Sequence, residues 1–244
     1  MTEKTGQQLI LNFPAHPEYS FSNFVVSEGS RIAFEAAKEL SGKKPFFFQA
    51  LYIFGQKNLG KTHLLLSIGN HAAEIGMQTV FIQGQEFSKK MNLADDPKKI
   101  LEHFTCADFF LIDNIECLAS SKRAQEKLYH IYNEIRGNGG KLVFTANLPP
   151  EKIPSMEDYL TSRFQWGLVT EIKAIDDPTT AKIILKLAND INLKFPEPII
   201  QFLLSRVPRD FVSIQNAVKT INRESLINKK KVTLPLVKAA LNLD

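Results

Sequence analysis

The sequence predicts an α/β fold, an αβα sandwich around a five-stranded parallel sheet, followed by a small all-helical domain. Three observations predict it. Five short apolar runs, at 50–54, 79–82, 109–113, 142–146 and 167–172, alternate with stretches of helical periodicity, as in a parallel sheet covered on both faces. Between the first run and its helix lies Gly55-Gln56-Lys57-Asn58-Leu59-Gly60-Lys61-Thr62, which fits G-x-x-x-x-G-K-[ST] at every fixed position. From Asp176-Asp177-Pro178, an acidic cap with a proline in the first turn, no strand signal recurs; helical stretches follow at about 178–191, 198–206, 210–228 and 234–242.

Each part of the loop answers a chemical need. Glycines let the backbone turn tightly enough to aim successive N–H groups at a phosphate chain. The helix behind it, with Leu64, Leu65, Ile68, Ala72 and Ile75 at helical spacing, adds a favourable dipole. Lys61 is placed to reach the β/γ-phosphates and Thr62 to offer Mg²⁺ a hydroxyl.

Composition excludes several classes. The 244 residues, 44% hydrophobic and 23% charged, suffice for one large domain or two smaller ones. A net charge of +4 permits a nucleic-acid neighbour without requiring one. No apolar run approaches the ~20 residues of a membrane span, and no secretory signal is visible at the start. Cys106 and Cys117 lack metal-ligand spacing, and the five histidines are scattered. Reduced thiols in a cytoplasm are the expectation.

Residues 1–17 read as a tail carrying Gln8-Leu9-Ile10-Leu11-Asn12-Phe13. On the residues alone two readings stand: an edge strand of the protein's own sheet, or an extended peptide that docks Leu9, Leu11 and Phe13 into another protein's groove, with Gln8 as polar anchor. Phe21, Phe24, Val25 and Val26 form an aromatic, β-branched segment. A helix is expected over 29–40, with Ile32, Ala33, Ala36, Ala37 and Leu40 on one face, and a short one from Asp95 to about Phe104. The domains are expected at 18–174 and 175–244.

Asp113 ends the third apolar strand. Beside the P-loop strand, that is the place of a carboxylate holding Mg²⁺ through water; the alternative is a helix cap. Asn114 follows, an amide where many such ATPases carry a second carboxylate, and an amide is a poor general base. Glu116, two residues further, is a candidate substitute. A helix over 120–136 turns Ala124, Leu128, Ile131 and Ile135 inward and stops at Gly137-Asn138-Gly139-Gly140. Asn147, at the end of the fourth strand, either senses the γ-phosphate or turns the chain into Pro149-Pro150. Arg163 is either an ordinary surface arginine or an arginine finger for a neighbour's nucleotide. Lys229-Lys230-Lys231 is a basic cluster in a loop between helices, either merely solvated or in contact with DNA phosphates.

These motifs together resemble the AAA+ part of the DnaA/Hda family, and its regulatory Hda branch more closely. The resemblance covers nearly the whole length. It rests on Tyr19 to Phe24 with Val25-Val26, the P-loop, Asp113-Asn114-Ile115-Glu116-Cys117-Leu118, Pro149-Pro150 and Ser162-Arg163-Phe164-Gln165-Trp166-Gly167. Asn222-Arg223-Glu224-Ser225 and Thr233-Leu234-Pro235-Leu236-Val237-Lys238 extend it. DnaA usually has an acidic pair at Asp113-Asn114; the Asp-Asn-Ile-Glu-Cys run is similar to Hda. Gln8 to Phe13 matches the Q-L-x-L-x-[LF] clamp-binding peptide of Hda proteins. The helix-turn-helix domain that follows the lid in DnaA is not expected here.

The resemblance implies an AAA+ P-loop NTPase with a helical lid. ADP or ATP would be held by Gly55, Gln56, Lys57, Asn58, Leu59, Gly60, Lys61, Thr62, His63, Phe24, Val25 and Asp113, with Mg²⁺ at Thr62 and Asp113 and Asn147 as sensor 1. The sensor-2 arginine is expected just before Ser213-Ile214, where this chain has Val212; Arg209, three residues earlier and nearly one helical turn away, is the candidate substitute at the nucleotide. Arg163 would be an arginine finger acting in trans. The implied protein is cytoplasmic and binds the DNA polymerase III sliding clamp (its β subunit) through Gln8, Leu9, Leu11 and Phe13. With the DNA-loaded clamp it stimulates hydrolysis of DnaA-bound ATP and so prevents re-initiation. Little ATPase activity of its own, weak or indirect DNA contact and self-association complete the expectation. The rival is an active ATPase of helicase-loader or DNA-remodelling type.

Overall fold

The computed structural model describes residues 13, 18–42, 47–93 and 104–243. Five strands form one parallel sheet: β1 (Ala50–Phe54), β2 (Thr79–Gln83), β3 (Phe109–Asp113), β4 (Lys141–Ala146) and β5 (Leu168–Glu171). Their order is β2-β3-β4-β1-β5. The strand bearing Asp113 is therefore not beside the P-loop strand. β4 lies between them, with Leu142 to Phe144 paired to both sides.

Among the described residues, the helices flanking the sheet in the α/β unit are α1 (Arg31–Leu40), α2 (Lys61–Glu74), α3 (Gly84–Leu93), α4 (Lys122–Gly137) and α5 (Asp158–Gln165). Because strand side chains alternate faces, Tyr52, Phe110, Ile112 and Phe144 meet Phe87 of α3, Leu128 and Ile131 of α4 and Leu160 and Phe164 of α5. The alternate residues Leu51, Ile53, Leu111 and Val143 are buried on the other face, where α1 and α2 pack. Ala124, Leu128, Ile131 and Ile135 point inward as their spacing requires, and the Ser121 hydroxyl caps α4 by accepting from the Ala124 N–H at 3.2 Å.

Two elements differ from the sequence reading. Ile32, expected on the buried face of α1, is 69% exposed. The buried stripe is Ala33, Ala36, Ala37 and Leu40, and Ile32 sits one residue, about 100°, off its start. Helix α3 had no start signal, because Gln83-Gly84-Gln85 carries neither acidic cap nor proline. It forms because Phe87 and Met91, one turn apart, are fully buried. The helix expected from Asp95 falls almost entirely in 94–103, outside the described residues.

The second compact unit comprises Val25–Gly29, Lys57–Leu59 and Lys173–Asp244. Its helices are α6 (Asp177–Asp190), α7 (Glu197–Arg206), α8 (Phe211–Asn228) and α9 (Leu234–Leu241). Ile183, Ile184, Ile199, Leu203, Ile214, Val218, Ile221 and Val237 form its buried positions. Asp176 and Asp210 cap α6 and α8, accepting from the Thr179 and Ser213 N–H groups at 2.8 and 3.0 Å. The two short segments, expected within the α/β domain, group here because Lys173 N–H donates to the Gly29 carbonyl and Phe211 N–H to the Asn58 carbonyl.

One buried cation fastens α1 to the sheet. Lys141, 8% exposed, donates through Nζ to the carbonyls of Leu40 and Gly42 at 2.7 and 2.6 Å. It satisfies carbonyls that a helix end leaves unpaired, and burial pushes its ammonium pKa down. Lys141→Met should keep the volume, strand two acceptors and destabilise the fold by roughly 1–3 kcal/mol. A lower urea midpoint at unchanged slope would show it.

Candidate nucleotide-binding site

β1 ends at Phe54, and the chain then runs through the P-loop into α2 at Lys61. Two of its glycines are required by geometry. A Cβ at Gly55 would collide with the Ile172 carbonyl oxygen, and Gly60, at φ +98°, would bring one within 2.8 Å of the Phe24 ring. Asn58 also adopts a left-handed φ of 64°, which asparagine tolerates. Phe24 is half-buried, stacked on Phe34 at 5.7 Å and edge-on to His63 at 5.4 Å. His63 is further placed by the Ser20 carbonyl at 3.0 Å from its Nε2. Val25 is half-buried in the second unit.

Lys61 is 6% exposed. Its ammonium donates to the Gly55 and Gln56 carbonyls at 2.8 and 2.7 Å and to Asn147 Oδ1 at 3.1 Å. The structure thus brings together the P-loop lysine and the sensor candidate from the far end of β4. Asn147 is held in turn by Glu116, whose Oε1 accepts from its backbone N–H at 3.3 Å and from its side-chain Nδ2. Glu116 Oε2 is buried without a hydrogen-bond partner among the described residues.

Asp113, 1% exposed, is the centre of the polar cluster. One oxygen accepts from the Thr145 hydroxyl; the other accepts from the Thr62 hydroxyl at 2.8 Å and from Gln83 Nε2 at 3.2 Å. A hydroxyl touching a buried carboxylate beside a phosphate loop suits Mg²⁺, which keeps several waters and takes few protein oxygens. Consistently, no cluster of three or more His, Cys, Asp or Glu among the described residues could hold a metal unaided. Asn114 donates through Nδ2 to Gln83 Oε1 at 3.2 Å, and its N–H donates to Thr145 Oγ1 at 3.1 Å. Burial first, then the carboxylates of Glu116 and Asp113, push the Cys117 thiol pKa up, away from the reactive thiolate.

Gln83 and Thr145 were missed by sequence reasoning. The available signal was a polar residue closing, or nearly closing, an otherwise apolar strand. Gln83 sits opposite Asp113 in the β2–β3 register, and Thr145 is fully buried.

The model of the bacterial DnaA ATPase domain matches residues 15–171, and that of the Hda lid domain matches residues 177–241. The chain belongs to the bacterial DnaA ATPase-domain family. DnaA from Leifsonia xyli subsp. xyli is 29% identical over 229 residues, covering 92% of this chain and 48% of that protein. The chain thus spans about half the length of that relative. Domain III of Thermotoga maritima DnaA superposes with a TM-score of 0.83 at 30% identity, over 94% of this chain and 98% of that one. AMPPCP-bound DnaA from Aquifex aeolicus gives 0.81 at 27%, over 87% and 67%. The fold is accordingly AAA+ of DnaA type, with a five-stranded parallel sheet and a C-terminal helical lid.

Arg163, in the last turn of α5, is half-buried and engaged by Asn133, Tyr129 and Trp166. Arg209 pairs with Asp177 at 2.7 Å while 50% exposed. Gln8, Leu9 and Leu11 lie outside the described residues; Phe13 is half-buried, its ring where a Cβ on Gly69 of α2 would fall. No helix among the described residues is long and apolar enough to cross a membrane.

Lys61→Ala should lower nucleotide affinity by about 10- to 100-fold, the value of one charge-assisted contact. Titration with a fluorescent nucleotide, beside an unchanged circular dichroism spectrum, measures it; equal affinity would move the site elsewhere.

Proposed function

We propose that this chain is a nucleotide-bound AAA+ regulator of replication initiation, which supplies Arg163 in trans to the nucleotide held by DnaA when brought beside it on a DNA-loaded sliding clamp. The observation that carries this reading is the pairing of an Hda-type lid with a P-loop site whose Asn114 side chain is committed to Gln83. Where a hydrolysing ATPase would orient water with a carboxylate, this position offers an amide. The P-loop amides and Lys61 hold ADP or ATP; Thr62 and Asp113 hold Mg²⁺, which neutralises phosphate charge when bound. Asn147, fixed between Lys61 and Glu116, stands as sensor 1. Phe24 lies against Gly60 of the loop and edge-on to His63, and with Val25 these residues complete the proposed nucleotide contacts.

In trans, a guanidinium stabilises charge developing on a transferred phosphoryl group, an effect of about 10³–10⁵ in other NTPases. Arg163→Ala should abolish stimulation of DnaA-bound ATP hydrolysis while the chain's own nucleotide binding is unchanged. Phosphate release from preloaded DnaA, with clamp and DNA present, measures it, and undiminished release refutes the role.

The tail supplies the clamp contact through Gln8, Leu9 and Leu11, with Phe13 at its end. Replacing Gln8, Leu9 and Leu11 by alanine should remove clamp binding in surface plasmon resonance without moving the thermal midpoint. Retained binding means the segment serves the chain's own structure.

A second reading has one observation in its favour. Glu116 keeps a buried carboxylate oxygen unpartnered beside Asn147, a group able to orient water in an active ATPase of helicase-loader or DNA-remodelling type. Steady-state turnover above ~1 s⁻¹ by the chain alone would select it.

A further inference from the structure

Two arginines stand over the chain's single tryptophan on the surface of the α/β unit. The guanidinium carbon of Arg163 lies 3.8 Å from the Trp166 ring centroid and 5.0 Å from that of Tyr129; Arg136 lies 4.9 Å from Trp166. Arg163 Nε donates to Asn133 Oδ1, and Nη2 donates to the Tyr129 hydroxyl, each at 3.1 Å. Behind it, the buried Tyr132 donates its hydroxyl to the Arg163 carbonyl at 2.9 Å. Trp166 itself is 54% exposed.

A surface arginine ordinarily samples many rotamers and loses that freedom on binding. Here the guanidinium is held on one face by an indole and on one edge by two oxygen acceptors. Of its five N–H donors, Nε and one hydrogen of Nη2 are used; among the described residues both hydrogens of Nη1 and one of Nη2 remain, the fork that grips phosphate oxygens in pairs. Two guanidinium groups over one ring repel each other in water, and the π face offsets that repulsion.

We propose that Trp166 is a positioning residue which, with Tyr129 and Asn133, presents the outer edge of Arg163 ready-made to a phosphate group on a neighbouring subunit. The proposal rests on the trans reading of Arg163. It says why an exposed indole belongs beside that arginine, and what fails without it.

The test uses the full chain, clamp-loaded DNA and bacterial DnaA carrying labelled ATP, with phosphate release as readout. Trp166→Ala should lower stimulation about tenfold, Trp166→Phe should hold it within about threefold, and Trp166→Leu, which fills space without a π face, should behave like alanine. Full stimulation by the alanine variant overturns the proposal. So does equal performance of leucine and phenylalanine, even where the alanine variant does not fold. A second readout separates this from failure of the trans reading. Trp166 emission in the isolated chain should shift in Arg163→Ala, and unchanged emission overturns the stack whatever hydrolysis does. Shifted emission with undiminished stimulation defeats the trans reading, and the proposal with it.

Discussion

The carboxylate of Asp113 is the constraint on which the site depends. An isolated carboxylate in a fully covered position is strongly disfavoured unless donors surround it. Here donors arrive from three other elements: Thr62 at the start of α2, Thr145 in β4 and Gln83 at the end of β2. Since β4 lies between β1 and β3, no backbone ladder joins the P-loop strand to the strand of Asp113. The side-chain cluster makes that connection. It sets the Thr62 hydroxyl against the Asp113 carboxylate, and so couples the shape of the P-loop to the register of the sheet.

A second chain of contacts fixes the other half of the site. Lys61, Asn147 and Glu116 are linked end to end through the Asn147 side chain, its carbonyl oxygen accepting from the lysine and its amide donating to the glutamate. That settles the orientation of Asn147, since only one placement of its oxygen and nitrogen satisfies both neighbours. The sequence alone left Asn147 open between a sensor and a turn before Pro149. The contacts show its side chain bonded to both Lys61 and Glu116.

Most of the architecture was legible because its signals are local and redundant. Apolar runs of strand length, glycines around the P-loop, the acidic cap at Asp176-Asp177 and the proline at 178 each act within a few residues. What escaped depends on tertiary contact. Helix α3 has no start signal and exists because Phe87 and Met91 find the sheet. Ile32 fits the period of α1 but faces water, because packing against alanines chose a stripe one residue over. Strand order could not be read from periodicity, which reports burial and not neighbours. Gln83 and Thr145 became visible only once the register set Gln83 opposite Asp113 and turned Thr145 inward. For Arg163 the choice between ordinary surface residue and finger was open in the residues, and only the resemblance favoured the finger. The contacts add what pattern cannot supply: which atoms hold the guanidinium.

The arginine and the nucleotide cluster are built from the same core. Phe144 of β4 stacks on Tyr132 of α4 with ring planes 17° apart, and the Tyr132 hydroxyl donates to the backbone of Arg163. Phe144 also meets Phe164, the next residue, at 4.8 Å. One step along β4, Thr145 turns to the opposite face and donates to Asp113; two steps further, Asn147 meets Lys61. A single buried strand therefore anchors, through alternate faces, both the inward phosphate-facing groups and the outward guanidinium. Interiors this tightly packed resist small displacements, so Arg163 is held in a fixed relation to the chain's own P-loop by core aromatics. On the proposed trans role, that fixed relation is what lets the guanidinium meet a nucleotide bound by another subunit: the backbone of Arg163 is set by the fold, and its side chain by Trp166, Tyr129 and Asn133.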